Sequence, residues 1–207
     1  MPHVHVSRIS GDPLRLSDAV SYLASEVRPA VERQHGSLGT ALLISPEAGV
    51  ARFESFWAPG SPLARDETLD ETSVREAAQR AGGTVSAERY EVLVFERTEP
   101  LDAGRWVRMT PMDAGPSQRA KIEDAVAWYG DTAVPQLADT NGFCAALLYA
   151  DWASGRVLSQ TVWQDSRALA TSRGTATAVE GAAAEAIPAV IGATEELRLE
   201  FSSARPA

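Results

Sequence analysis

The chain repeats itself, and that repeat constrains its fold more than any other feature. Gly36 to Trp57 (GSLGTALLISPEAGVARFESFW) and Gly142 to Trp163 (GFCAALLYADWASGRVLSQTVW) align without a gap at the interval between the two tryptophans, 106 positions. Gly36 meets Gly142, Leu42 meets Leu148, Gly49 meets Gly155, and Trp57 meets Trp163. Upstream, Asp18-Ala19-Val20 matches Asp124-Ala125-Val126, Tyr22 matches Trp128, and Pro29 matches Pro135. Downstream, Leu63-Ala64 matches Leu169-Ala170 and Ala77-Ala78 matches Ala183-Ala184. Such self-similarity means that one supersecondary unit is used twice. The polar stretch Arg97 to Gly104 (RTEPLDAG), with its proline and glycine, reads as the linker. The expected modules are residues 1–100 and 103–207.

Each half spells the same order of elements. Val4–Arg8 and Trp106–Thr110 read as opening strands. Leu16, Val20, Leu23, Val27 and Val31 then fall on one face of a 3.6-residue period, which predicts a helix capped at Ser17 or Asp18. Pro29 and Pro135 should bend or end these helices, because proline lacks the N–H a helix interior needs. Gly36 and Gly142 suit the turn into the next strand. A hairpin follows in each half, and its first strands, Leu38–Ile44 and Phe143–Ala150, are apolar at both parities. That pattern predicts burial on both faces, with helices on one and a second sheet on the other. A second helix comes next, over about Glu67–Arg80 and, behind the cap Asp165-Ser166, on to about Ala186. A closing strand ends each half, at Arg89–Glu96 and Glu195–Phe201. The order β-α-β-β-α-β is the split βαβ, ferredoxin-like unit. The expected fold is therefore α+β: two fused ferredoxin-like repeats packed sheet to sheet as a pseudo-dimer within one chain.

Composition excludes some functions. The net charge is −9, and no basic stripe appears, so nucleic acid is not an expected partner. No run approaches the ~20 apolar residues of a membrane span, and the N-terminus has no apolar stretch of signal length. A cytoplasmic protein without a membrane partner is the expectation. The single cysteine, Cys144, sits in an apolar run and reads as a buried small hydrophobe. His3 and His5 form an H-x-H on one strand face, yet metal ligation needs three or four donors and no third is evident. His35, matched by Asn141, reads as a turn residue, and the acidic run Asp66–Glu71 as a solvated helix face.

Val134-Pro135-Gln136-Leu137, Asn141-Gly142-Phe143, an apolar strand ending at Asp151, Ser154-Gly155-Arg156 and Val162-Trp163-Gln164-Asp165-Ser166 together resemble the dimeric α/β barrel superfamily. The pattern is most similar to the antibiotic-biosynthesis-monooxygenase-like domains, more strongly over 120–201 than over 4–96. The resemblance implies a cofactor-independent monooxygenase acting on an aromatic or quinone-like substrate. In such chemistry a deprotonated, electron-rich substrate reduces oxygen itself. The alternative is a non-catalytic module that binds a small apolar or aromatic molecule on the same fold. The candidate pocket residues are Trp163, Trp57, Tyr149 and His5. Each tryptophan can equally be a core filler at the end of a buried strand. The second half keeps the family pattern better, so any cavity is expected there, near Trp163; further oligomerisation is open.

The haem-degrading branch of this superfamily is recognised by a first-strand Asn and a second-helix His beside the Trp. Both partners are missing in both halves, and the histidines of the chain are His3, His5 and His35. Incubation with haem and a reductant should therefore leave the haem Soret band intact. A bilin-type product would overturn this expectation.

Overall fold

The computed structural model describes residues 1–61, 68–116, 118–186 and 189–206. The strands are β1 (His3–Ser10), β2 (Ser37–Ser45), β3 (Val50–Trp57), β4 (Thr84–Arg97), β5 (Trp106–Asp113), β6 (Phe143–Asp151), β7 (Arg156–Trp163), β8 (Val190–Ile191) and β9 (Glu195–Ser202). The helices are α1 (Leu16–Tyr22), α2 (Arg28–Glu32), α3 (Thr68–Arg80), α4 (Arg119–Trp128), α5 (Val134–Ala138), α6 (Ser166–Thr171) and α7 (Arg173–Ala186). Two compact units result: Met1–Tyr90 with Arg198–Ala207, and Glu91–Leu197. The divisions between them fall inside β4 and β9.

In the first unit the strand order is β4-β1-β3-β2-β9. In the second it is β4-β6-β7-β5-β9, with β8 also pairing the end of β5. Each repeat's own four strands thus take the 4-1-3-2 order of a ferredoxin-like sheet. β2 and β6 each carry a register shift at the same repeat position, Ser37/Gly39 and Phe143/Ala145. The two-sided apolar pattern of β6 is matched by burial of every residue from Phe143 to Ala150.

The turns into β2 and β6 are equivalent as well. Gly36 and Gly142 adopt φ of 85° and 84°, a region L side chains rarely enter. Their carbonyls accept the N–H of Ala58 and Gln164, at 2.7 and 2.8 Å. A Cβ on Gly142 would stand 2.5 Å from the Ala168 Cβ. Behind this turn Asp165 caps α6 by accepting the Ala168 N–H at 2.8 Å, the cap expected from sequence.

Three local expectations are corrected. α1 begins behind Arg15 without a side-chain cap, and Asp18 lies in its first turn. Ala19 is fully buried and Val20 only partly, because the stripe turns slightly from the predicted face. At the prolines, where the sequence allows a bend or an end, the helices continue. Leu23–Val27 and Tyr129–Ala133 form π-helical turns, and α2 and α5 continue beyond them. Proline cannot donate to the carbonyl four residues back, and its ring crowds that oxygen. A wider turn relieves the clash: the Arg28 N–H reaches Leu23 O and the Val134 N–H reaches Tyr129 O, both five residues back. The second-half helix also breaks where the sequence suggests continuity, at Ser172 between α6 and α7. Leu63-Ala64 and the start of the acidic run at Asp66 lie outside the described residues.

Within the first unit, one carboxylate ties together α2, β2 and the residue that follows β9. Glu32 on α2 accepts from the Arg28 Nε at 3.0 Å, from the Thr40 hydroxyl at 2.8 Å, and from the Ser203 hydroxyl. The Ser203 N–H in turn donates to Thr40 O at 2.8 Å. Gly39 permits the approach, since a Cβ there would meet Ser203 O at 2.3 Å. Burial by itself would raise the Glu32 pKa, but hydrogen bonds from Ser203, Thr40 and Arg28 more than offset it and hold the carboxyl below its ordinary value. A depressed carboxylate contributes stability above its unfolded-state pKa and loses it as pH falls through the folded-state pKa. Glu32→Gln should therefore cost about 1–2 kcal/mol at neutral pH, as expected for lost charge-assisted hydrogen bonds. The gap from wild type in urea titrations should close as pH drops below the usual glutamate range.

Candidate functional site

The second unit contains a cavity of about 70 Å³ between its sheet and its helices, partly open to solvent. That volume is several times the ~10–15 Å³ that one water needs by the same measure. Its floor is built from cross-strand pairs of β5 and β7. Arg108 faces Thr161, Thr110 faces Ser159, and Met112 faces Val157. These residues alternate by two, so all six point to one side of the sheet, and all line the cavity. The floor is polar at Arg108 and Thr161 and apolar at Met112 and Val157. Leu148 of β6, opposite Ser159, extends it. The roof comes from Ile122, Ala125 and Trp128 of α4, Leu137 of α5, and Ala176 and Val179 of α7.

Tyr129 opens the π turn and completes the wall. Its hydroxyl accepts a hydrogen bond from Ser159 Oγ at 3.2 Å. Burial pushes the phenol up to about 12, with the Ser159 hydrogen bond pulling weakly the other way. Tyr129 is therefore a neutral phenol at any physiological pH. Arg108 is held from three sides. Its Nη1 donates to Ser172 Oγ at 2.9 Å, and its Nη2 donates to Leu169 O at 3.0 Å and to Glu196 at 3.3 Å. Ser172 Oγ itself donates to Leu169 O at 2.7 Å. The break between α6 and α7 thus supplies two acceptors for one buried guanidinium.

The candidates named from sequence are placed as follows. Trp163 is fully buried on the same face of β7, one pair beyond Thr161. Its Nε1 donates to Thr161 Oγ1 at 2.9 Å, and it packs edge-on against Phe143 at 5.6 Å. Trp163 stands behind the polar end of the cavity and is absent from its lining. Trp57 makes the matching bond to Ser55 Oγ, at 3.1 Å, and lies 6.2 Å from the His5 ring. Both belong to the first unit. Tyr149 is fully buried, but alternation with Leu148 turns it to the other sheet face. The four are therefore not gathered at one site, and none lines this cavity.

The residues that do line it were legible only as mismatches between the repeats. His3–Ser10 pairs with β3 as Trp106–Asp113 pairs with β7, so His5, opposite Ser55, is the counterpart of Arg108, opposite Thr161. At the 106-position interval Ser159 stands where the first half has Phe53, and Tyr129 where it has Leu23. Phe53 and Leu23 are fully buried within the first unit's core. A phenyl ring fills in one unit the volume that a serine leaves open in the other.

This substitution pattern predicts reciprocal effects. Ser159→Phe combined with Tyr129→Leu should keep the fold and abolish uptake of a small ring such as toluene, read by thermal shift. Phe53→Ala should open a matching void in the first unit at a cost of about 3–5 kcal/mol. Undiminished toluene uptake by the double variant would show that the ring binds elsewhere.

No family model matches the sequence. An uncharacterised protein of Mycobacterium tuberculosis, Rv2557, is 25% identical over 161 residues, covering 76% of this chain and 69% of that protein. Among solved structures, an anthrone oxidase-like protein superposes with a TM-score of 0.69 at 15% identity, covering 97% of this chain and 92% of the other. A putative monooxygenase from Fusobacterium nucleatum gives 0.68 at 12% identity, covering 97% and 93%. A Listeria monocytogenes ferredoxin-fold protein related to antibiotic biosynthesis monooxygenases gives 0.54 at 11% identity, covering 96% and 95%. At these identities the likeness is one of fold. The paired βαββαβ order, the 4-1-3-2 strand arrangement and this near-complete coverage together give the chain the ferredoxin-like fold seen in the antibiotic-biosynthesis-monooxygenase-related proteins.

Proposed function

We propose that the chain is a monooxygenase-like enzyme for a small aromatic, quinol-type substrate. In this reading the working site lies in the second of two tandem repeats, 1–100 and 103–207. The observation that carries it is the cavity beneath α4 and the π turn: an apolar pocket with a few polar groups, Arg108, Thr110, Tyr129, Ser159 and Thr161, converging in its wall. Such a pocket buries a ring and fixes its oxygen substituents. In the reaction an activated ring carbon bearing two hydrogens is oxidised by O₂. One oxygen atom becomes the ring carbonyl, and the other leaves as water with both hydrogens. The protein's contribution is to orient the ring and exclude bulk solvent.

The described lining holds no carboxylate and no imidazole. Proton removal must then rest on the substrate's own acidity. That same fact favours a second reading, in which the cavity binds a small aromatic molecule without turning it over. Oxygen uptake separates the two. With anthrone or a small hydroquinone in air-saturated buffer, consumption above autoxidation is expected for wild type and not for Ser159→Phe. Tight binding with no excess oxygen uptake would favour the binding module.

A further inference from the structure

From the charge balance at the polar end of the cavity, we infer that the site selects an aromatic anion, a ring bearing a carboxylate or an ionised phenolic oxygen, and that Arg108 is its specificity-determining residue. This rests on the reading that the cavity of the second unit is the working site.

Arg108 is 7% exposed and lines the cavity. The carboxylate paired with it is Glu196, at 3.3 Å, which also pairs with Arg173 at 3.1 Å. Two guanidinium groups thus share one carboxylate, and Glu196 is itself 31% exposed. Among the described residues in these ion pairs the sum is one positive charge; Arg173 is 65% exposed and absent from the cavity lining, so the charge at the cavity is that of Arg108, whose carboxylate partner is shared. A buried cation without full compensation is costly, and an anion brought close is correspondingly favoured. The neutral groups around it fit an oxyanion as well. The hydroxyls of Thr161 and Thr110 lie on the same face. The ring of such a ligand would extend along the floor toward Met112 and Val157, below Ile122 and Leu137.

The first unit gives an internal contrast. Its counterpart of Arg108 is His5, and its counterpart of Ser159 is Phe53. At these two positions the first unit therefore has an imidazole in place of the permanent charge and a phenyl ring in place of the open volume. The guanidinium serves this role better than lysine would, because it is always charged and its planar fork donates to several acceptors at once. Ser172 Oγ, Leu169 O and Glu196 fix that fork in place.

Binding of three probes to the full chain tests the inference: 4-nitrophenol, whose ionised form is yellow, benzoate, and nitrobenzene as a neutral ring. On wild type the apparent pKa of bound 4-nitrophenol should fall by about one unit, equivalent to about tenfold tighter binding of the anion. Arg108→Gln should lose that shift and keep its affinity for nitrobenzene. Glu196→Gln removes the shared counter-charge and leaves Arg108 in place, so it should tighten anion binding. A merely structural role for the Arg108–Glu196 pair would weaken binding or leave it unchanged. If Arg108→Gln does not fold, the sign of the Glu196→Gln effect decides. Binding of benzoate without a 4-nitrophenol shift would assign the oxyanion as a carboxylate, and the reverse as a phenolate. Equal affinity for nitrobenzene and both anions overturns the inference and leaves the cavity reading standing. Failure of all three probes to bind overturns both.

Discussion

Close packing of helices on a sheet face requires that every position in the contact be filled, and the site in the second unit follows from one place where it is not. Protein interiors tolerate few voids larger than a water molecule. On β3 the contact with the helices is filled by the phenyl ring of Phe53. On β7 the same position holds Ser159, whose hydroxyl turns to the Tyr129 phenol. The surrounding frame is the same in both units: the hairpin register, the bulge, the π turn and the glycine at the strand entrance. That common frame keeps the space from collapsing around the smaller residue.

The π turns connect backbone chemistry to the cavity wall. Proline at 29 and 135 forbids a regular α-helical bond, and the helix absorbs the defect by widening just before it. The widened turn of the second half begins at Tyr129, which lines the cavity, and that of the first half begins at Leu23, which is buried in the core. A conformational defect shared by both repeats has thus been given different side chains. The break between α6 and α7 works similarly. It frees a carbonyl and a hydroxyl, Leu169 O and Ser172 Oγ, and both are taken up by Arg108. Irregularities in two helices hold the polar groups of one site.

Much of the fold was legible because it depends on periodicity and local chemistry. The strands, the hairpins, the Asp165 cap and the left-handed glycines at 36 and 142 each follow from residues near in sequence. The prolines left a bend or an end open in the sequence, because the cost of a lost hydrogen bond can be met by a wider turn as well as by termination. The tryptophans drew attention as large, repeated residues. Their burial and their bonds to Ser55 and Thr161 fit the role of a rigid backing, which no one-dimensional pattern separates from a cavity lining.

The sequence by itself determined that the chain builds one βαββαβ unit twice, because apolar spacing, turn glycines and prolines act over a few residues at a time. It also held, in the mismatches His5 with Arg108, Leu23 with Tyr129 and Phe53 with Ser159, the differences that separate the halves. Only the tertiary structure decided what those differences mean. Residues 108, 129, 159 and 196 are distant in the chain and converge through strand register and helix packing. Whether a small residue leaves a void, and whether a cation there is fully compensated, depends on what the fold brings against it.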